Sequence, residues 1–172
     1  MNLADYLPVV PDFPRPGIAF RDISPLLANP VAFRHAIDEL AARSQAFEFE
    51  ALAAIESRGL VFGSALALAL AKPFTMLRKP NKLPPRVHRL RYTLEYGEDE
   101  LQLKGDVLAP QCRVLIIDDV LATGGTALAA RELLIAAGHP VAAALFVLEI
   151  ESLGGRSRLD SHHLPVGAAL TV

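Results

Sequence analysis

The chain has 172 residues, enough to bury a core without disulfides, and its single cysteine excludes an internal disulfide and a multi-cysteine zinc site. A net charge of −2 argues against a protein that wraps nucleic acid with its whole surface, so we expect no nucleic-acid partner. Although 52% of the residues are apolar, no uninterrupted apolar run reaches the roughly 18 residues of a membrane-spanning helix, and the N-terminus does not resemble a secretory signal. We therefore expect a cytoplasmic protein without a membrane partner, folded as a single domain over residues 1–172.

The predicted elements alternate between helices and apolar strands. The first helix should begin at Asn29 and Pro30, because Asn is favoured at the N-cap and Pro in the first turn. Gly138 predicts the C-cap of the last helix. In chain order, the sequence predicts strands at 51–55, 74–77, 114–117 and 141–150 and helices at 60–71 and 126–137.

Strands that are apolar at nearly every position and alternate with helices are typical of a parallel sheet covered on both faces. The sequence therefore predicts an α/β fold, in which a central parallel sheet of about five strands is flanked by helices. Residues 79–104 break this pattern. Alternation in 91–96 and 100–104 around Gly97-Glu98-Asp99 predicts an antiparallel hairpin, which we interpret as a small lid.

The segment 114–126, VLIIDDVLATGGT, carries the sharpest signal for a ligand site. Asp118 and Asp119 lie at the C-terminal end of a predicted apolar strand, where parallel sheets bind their ligands. The loop that follows, residues 122–126, offers backbone N–H groups, threonine hydroxyls and a helix N-terminus, which together suit a phosphate monoester. It lacks both the Gly-Lys-Ser/Thr of a Walker A loop and a GxGxxG turn. Because carboxylates repel phosphate, the two acids should instead meet ribose hydroxyls or a hydrated Mg²⁺.

A second group of residues suits a pyrophosphate. Ser57 and Arg58 follow the strand at 51–55, where backbone N–H groups and the forked guanidinium can bind pyrophosphate oxygens. Between residues 78 and 91 the chain has six basic residues and no acid, which gives a local positive patch. Pyrophosphate would suit this patch, and a solvated surface or a local nucleic-acid-binding patch is the alternative interpretation.

Together these motifs resemble those of the type I phosphoribosyltransferases, and among them the adenine phosphoribosyltransferases. The motifs that carry the resemblance are FPRPGIAFRDISP at 13–25, ESRGLVFG at 56–63, RKPNKLP at 78–84, YTLEYG at 92–97 and the segment 114–126. Glu56 stands where the family more often has Asp, and Asn81 and Pro85 replace residues that are often Gly there. Because of these three departures, the motifs do not determine the geometry of the turn after residue 55 or the stiffness of the lid.

The resemblance implies transfer of the phosphoribosyl group of phosphoribosyl pyrophosphate (PRPP) to adenine, giving AMP and pyrophosphate. It implies Mg²⁺ held mainly through PRPP, with no direct protein ligand, a strained peptide at the turn after residue 55, and a homodimer. Glu95 would act on the reacting base, while Phe20 would stack the adenine and Arg21 would clamp it. PRPP or AMP would be bound by Ser57, Arg58, Arg78, Lys79, Lys82, Tyr96, Asp118, Asp119, Ala122, Thr123, Gly124, Gly125 and Thr126.

Two alternatives remain open at this stage. The first is a phosphoribosyltransferase for another purine, hypoxanthine or guanine. The second is a regulatory PRPP-binding module without catalysis, which generally needs an added DNA-binding or protein-binding segment. We expect no room for such a segment before Phe13, and Glu95 within its YTLEYG context also favours an enzyme.

Overall fold

The computed structural model describes residues 1–94 and 97–172. The N-terminal segment forms two short antiparallel strands, β1 (Val9–Val10) and β2 (Phe20–Arg21), followed by helices α1 (Ser24–Ala28) and α2 (Pro30–Ser44). The later elements are β3 (Ala51–Ile55), α3 (Gly59–Leu70), β4 (Phe74–Arg78), β5 (Val87–Leu94), β6 (Gly97–Lys104), β7 (Val114–Leu121), α4 (Gly125–Ala136), β8 (Val141–Glu149), α5 (Gly155–Ser161) and β9 (Val166–Thr171).

Within the described residues, seven strands form the central sheet, in the order β5-β6-β4-β3-β7-β8-β9. The five strands from β4 to β9 in this order pair parallel to their neighbours. The β5–β6 hairpin pairs antiparallel with the edge of β4 and extends the same sheet. The prediction of an α/β fold with about five parallel strands and a hairpin is therefore confirmed, whereas β9 was missed.

The helix ends follow the predicted caps. The Asn29 side-chain oxygen accepts hydrogen bonds from the backbone N–H groups of Val31 and Ala32, each at 3.0 Å. After α4, Gly138 has a φ of 87°, and the N–H of His139 donates to the carbonyl of Leu134 at 2.9 Å. This is the Schellman arrangement that glycine favours at a helix end, so both cap predictions are confirmed.

The predicted turn of the hairpin at residues 97–99 is wrong. Gly97, Glu98 and Asp99 belong to strand β6, where Gly97 pairs with Leu94 and Asp99 with Tyr92. The ladder continues without a break from these pairs to Val87 opposite Lys104, and its cross-strand pairing outweighs the turn preference of a Gly-Glu-Asp triplet. Residues 95 and 96, between the two strands, lie outside the described residues.

The apolar surplus of the sequence fills two core layers, one on each face of the sheet. Leu52 and Ala54 pack on the side of α2 and α3, while Ala53 and Ile55 pack on the side of α4 and α5. All residues of β3 are buried, which explains why this strand has an unbroken apolar sequence. None of the helices in the described part of the chain is both long and apolar enough to cross a membrane.

Candidate active site

The site lies where the neighbouring parallel strands β3 and β7 end at one edge of the sheet. The first residue of α3, Gly59, packs directly against Asp118. A Cβ atom at Gly59 would lie 2.6 Å from Asp118 Oδ1 and 3.0 Å from its Cα, so any other residue here would force Asp118 or the turn to shift. The turn after β3 and the acids of β7 therefore meet because residue 59 is glycine.

The loop between β7 and α4 forms the expected phosphate cradle. Gly124 has a φ of 79° and precedes α4, and none of the described side chains caps this helix. The first backbone N–H groups of α4 therefore remain available to an anion, with the positive end of the helix dipole behind them. A small pocket of about 80 Å³ lies against Asp118 and the loop residues Ala122, Thr123, Gly124, Gly125 and Thr126.

Helix α5 supports this cradle from behind, a role that the sequence interpretation missed. A Cβ at Gly155 would lie 2.2 Å from the carbonyl oxygen of Ala122, so α5 approaches the loop as closely as a glycine permits. The buried carboxylate of Glu149 accepts a 2.8 Å hydrogen bond from Arg156 Nε, which ties α5 to the end of β8. An acid at the end of the apolar run 141–149 was the available signal for this ion pair.

The two consecutive acids have different surroundings. The Asp119 side chain is only 8% exposed and accepts a 2.5 Å hydrogen bond from Arg58 Nε. Its backbone N–H donates to Asp118 Oδ1 at 2.8 Å. Loss of contact with water, and then the charge of Asp119, raise the pKa of Asp118 well above its ordinary value. Ionisation of Asp118 therefore costs free energy in the folded protein.

Strand β2 places the N-terminal segment beside the acids. The Arg58 guanidinium carbon lies 4.8 Å from the centroid of the Phe20 ring, so Arg58 sits between Phe20 and Asp119. Arg21 Nη1 donates to the carbonyl of Leu7 at 3.0 Å. The structure therefore brings Phe20 into the site, while the guanidinium of Arg21 holds the N-terminal segment.

Glu56, one of the three departures from the family pattern, connects the turn after β3 with the end of β4, where the lid begins. Its carboxylate accepts a hydrogen bond from Arg78 Nε at 2.8 Å and another from the backbone N–H of Lys79 at 2.7 Å. The hydrogen bond from Arg78 lowers the pKa of Glu56. The peptide bond between Glu56 and Ser57 is cis. The longer side chain of Glu at this position therefore reaches the end of β4.

The remaining lid residues have separate environments. Lys79 forms an ion pair with Asp99 in β6, and its Nζ lies 3.3 Å from the hydroxyl of Tyr92 in β5. Lys82 is exposed. Asn81 has a φ of 64°, a left-handed conformation that Asn tolerates better than most residues other than Gly.

Two of the predicted site residues, Glu95 and Tyr96, lie outside the described residues. Ser57 lies exposed in the turn, and Pro85 lies exposed in the lid.

The candidate site does not coincide with the larger cavity at the other end of the parallel strands. A much larger pocket of about 550 Å³ lies in the described structure at the opposite edge of the sheet, beside Phe47, Phe49 and Arg113. It lies before the N-terminal ends of β3 and β7 and contains none of the acids or glycines described above. The chemistry of the residues, rather than the volume of the pocket, therefore identifies the candidate site.

Comparison with known proteins gives a consistent result. The family model of the phosphoribosyl transferase domain matches residues 23–161. The adenine phosphoribosyltransferase of Polynucleobacter asymbioticus is 54% identical over 164 residues, which cover 95% of this chain and 95% of that protein. This chain belongs to the adenine phosphoribosyltransferase family.

Solved structures of the adenine phosphoribosyltransferase family have the same fold. The enzyme from Thermoanaerobacter pseudethanolicus superimposes with a TM-score of 0.93 at 37% identity, covering 99% of this chain and 100% of that one. The Saccharomyces cerevisiae enzyme, solved with D-2,5-dideoxy-2,5-imino-altritol 1,6-bisphosphate and adenine, gives a TM-score of 0.88 at 36% identity over 98% of this chain and 96% of that one. The resemblance inferred from the motifs is therefore confirmed.

The environment of Asp118 predicts a stability gain from the isosteric substitution Asp118→Asn in the ligand-free protein. Because the folded state raises the pKa of Asp118, ionisation of this carboxyl destabilises the folded protein once the pH exceeds the unfolded pKa. Asn carries no charge and retains an oxygen that can accept the Asp119 N–H. The variant should therefore unfold at a higher temperature than the parent at neutral pH, and the difference should shrink as the pH falls towards 4.

Thermal unfolding between pH 4 and pH 8 measures this difference. The exposed helix residue Asp38 provides the control, since Asp38→Asn removes the same charge without burial and should show no such gain. A destabilised Asp118→Asn protein at pH 8 would contradict the raised pKa of Asp118.

Proposed function

We propose that this protein transfers the phosphoribosyl group of PRPP to adenine, giving AMP and pyrophosphate, as a step of purine salvage. The observation that carries the proposal is the contact between the turn after β3 and the acids of β7, beside the phosphate cradle. Membership of the adenine phosphoribosyltransferase family supports it. The yeast relative, solved with adenine and an imino-sugar bisphosphate, supports the pairing of a base with a phosphorylated sugar.

The acidic and basic side chains lie at different places in the site, and this arrangement orients PRPP. The 5′-phosphate binds the N–H groups and hydroxyls of residues 122–126, and the ribose hydroxyls donate hydrogen bonds to Asp118 and Asp119. Pyrophosphate binds near the turn at Ser57, with Arg58, Arg78, Lys79 and Lys82 supplying positive charge. Because carboxylates repel phosphates, the two acids exclude the reversed orientation.

Arg58 changes partners when PRPP binds. In the structure its guanidinium lies between the Asp119 carboxylate and the Phe20 ring. Pyrophosphate oxygens carry several negative charges and attract the guanidinium away from a single carboxylate. The same movement frees Asp119 for a ribose hydroxyl and the face of Phe20 for the adenine ring.

The site residues act on the charge that develops during transfer. As the bond to pyrophosphate breaks, positive charge develops at the anomeric carbon of the ribose. The fixed negative charge near the ribose stabilises that transition state, and the cations stabilise the leaving group. Glu95 matches the family motif and acts as a general acid or base that exchanges a proton with the adenine. Closure of the lid, which includes Tyr96, excludes the water that would otherwise hydrolyse PRPP.

Mg²⁺ fits this site as an ion bound to the substrate PRPP. Among the described residues, no cluster of three or more His, Cys, Asp and Glu side chains could form a metal cage by itself. Mg²⁺ in proteins is commonly held by one or two carboxylates together with substrate phosphates and water. A hydrated Mg²⁺ ion would be held mainly by oxygens of PRPP and by water, and it would neutralise charge on the pyrophosphate.

The proposal predicts that purified protein with PRPP and Mg²⁺ forms AMP when adenine is added. The kcat/KM for adenine should exceed that for hypoxanthine, guanine or uracil by at least about tenfold, because unmatched polar groups in the base pocket discriminate strongly. Chromatography of the nucleotide products measures each rate. Faster turnover of hypoxanthine or guanine would support the other purine enzymes, and PRPP binding without turnover of any base would support a regulator.

A second prediction concerns Glu95. Glu95→Gln should lower kcat by about 10²- to 10⁴-fold, the usual range for loss of a general acid or base, with PRPP affinity largely retained. Steady-state kinetics and PRPP titration separate the two effects. Glu98→Gln, an exposed change of the same kind in the same hairpin, is the matched control and should remain close to wild type. Near-normal turnover of Glu95→Gln would contradict the assigned role.

We also propose a homodimer in the cytoplasm, and an apolar face on α2 and α3 supports the dimer. Leu68 on α3 is 83% exposed and lines an apolar groove together with Phe33 of α2, and Val31 of α2 is 62% exposed. A second copy of the chain can bury this face symmetrically. Light scattering should give the mass of a dimer for the wild type and a lower mass for Leu68→Glu. Ile135→Glu, at an exposed apolar position on α4, should remain a dimer.

A further inference from the structure

Asp99 is a charged residue beside the proposed pyrophosphate site to which no role has been given. Its carboxylate forms an ion pair with Lys79 and lies 3.2 Å from the hydroxyl of Tyr92, its cross-strand partner. Lys79 follows β4 directly, while Asp99 and Tyr92 belong to the hairpin. The three side chains therefore connect the base of the lid to its two strands.

Both members of this ion pair are charged at neutral pH. Burial alone would raise the pKa of Asp99, but hydrogen bonds from Lys79 and from the N–H of Glu100 hold it below its ordinary value. Burial would lower the pKa of Lys79, but the contacts with Asp99 and Tyr92 raise it. The ammonium of Lys79 is therefore already neutralised by a carboxylate before any ligand arrives.

We propose that Asp99 is a positioning residue that holds Lys79 and thereby weakens the affinity of the site for PRPP and pyrophosphate. The inference rests on the proposed role of Lys79 in binding pyrophosphate. While Asp99 holds the ammonium, the pair carries no net charge, and the carboxylate repels an approaching pyrophosphate. Pyrophosphate must draw Lys79 away from Asp99 to gain its full attraction.

The exposure of the pair indicates that the exchange is feasible. The Lys79 side chain is 34% exposed and the Asp99 side chain is 26% exposed, so water weakens their attraction. Tyr92 remains in place to orient the ammonium when the carboxylate is lost or leaves. When pyrophosphate departs as a product, Asp99 offers Lys79 a partner again, which favours product release.

Glu56 holds its cation in a different way. It is only 14% exposed, and it accepts the backbone N–H of Lys79 as well as the guanidinium of Arg78. Removing the Glu56 carboxylate would therefore leave a backbone group and a partly buried guanidinium without a partner. Asp99 has no comparable bond to the backbone of β4 among the contacts of the described residues, so it can be replaced without disturbing that strand.

The variant Asp99→Asn tests the proposal, because Asn has the same shape without the charge. We expect the KM for PRPP and the inhibition constant for pyrophosphate each to fall by about two- to fivefold, the range that corresponds to a partly exposed ion pair. The KM for adenine and the affinity for AMP, neither of which carries a pyrophosphate, should remain unchanged. Glu98→Gln is the matched control, since it removes the same charge from the preceding residue of β6 and should alter none of these constants.

A double-mutant cycle with Lys79→Met shows whether Asp99 acts through Lys79. Lys79→Met alone should weaken PRPP and pyrophosphate binding, and adding Asp99→Asn to it should give no tightening. Unchanged or weaker pyrophosphate binding in Asp99→Asn, tightening that persists without Lys79, or equal tightening in Glu98→Gln would each overturn the role of Asp99. Unchanged pyrophosphate binding in Lys79→Met would overturn the role of Lys79 and with it the inference, whereas the proposed reaction is tested separately by AMP formation.

Discussion

The close packing of Gly59 on Asp118 is the contact on which the arrangement of the site depends. The parallel pairing of β3 with β7 brings the two strand ends to one edge of the sheet, and the glycine allows α3 to begin against the carboxylate. Arg58 is then placed within reach of Asp119. A side chain at residue 59 would separate the turn proposed for pyrophosphate from the acids proposed for ribose.

A second constraint is that opposite charges already pair in the ligand-free protein. Arg58 binds Asp119, Arg78 binds Glu56, and Lys79 binds Asp99. Each pair reduces the repulsion between like charges around the site. A net charge of −2 hides this arrangement, because the value averages charges that we propose to act on different parts of one ligand.

The parts of the fold that could be predicted from the sequence are those determined by local composition. Strand β3 was predicted at its observed limits because both of its faces are buried, and Asn29 and Gly138 are caps that act on their immediate neighbours. Strand β9 was missed because Val166–Thr171 contains glycine and two alanines, which have little strand preference.

The parts of the site that could not be predicted depend on pairing between distant residues. A turn at 97–99 would have put Asp99 in the loop, whereas the observed register places it opposite Tyr92 and in contact with Lys79. Composition does not determine that register. Likewise, Gly155 packs against Ala122 only because α5 returns to the loop after β8, and the hydrogen bond from Arg78 to Glu56 requires β4 to lie beside β3.

The geometry proposed to suit the site to PRPP also has a cost for the folded chain. Packing α3 against Asp118 reduces the contact of its carboxyl with water and raises its pKa, so ionisation of this acid costs free energy that hydrogen bonds from a ligand could recover. In the proposed complex, the ribose hydroxyls would supply those hydrogen bonds and pyrophosphate would attract Arg58 from Asp119. Under the proposed function, binding of PRPP would therefore satisfy groups that the folded chain leaves partly solvated or paired within itself, and part of the affinity would come from relieving this cost.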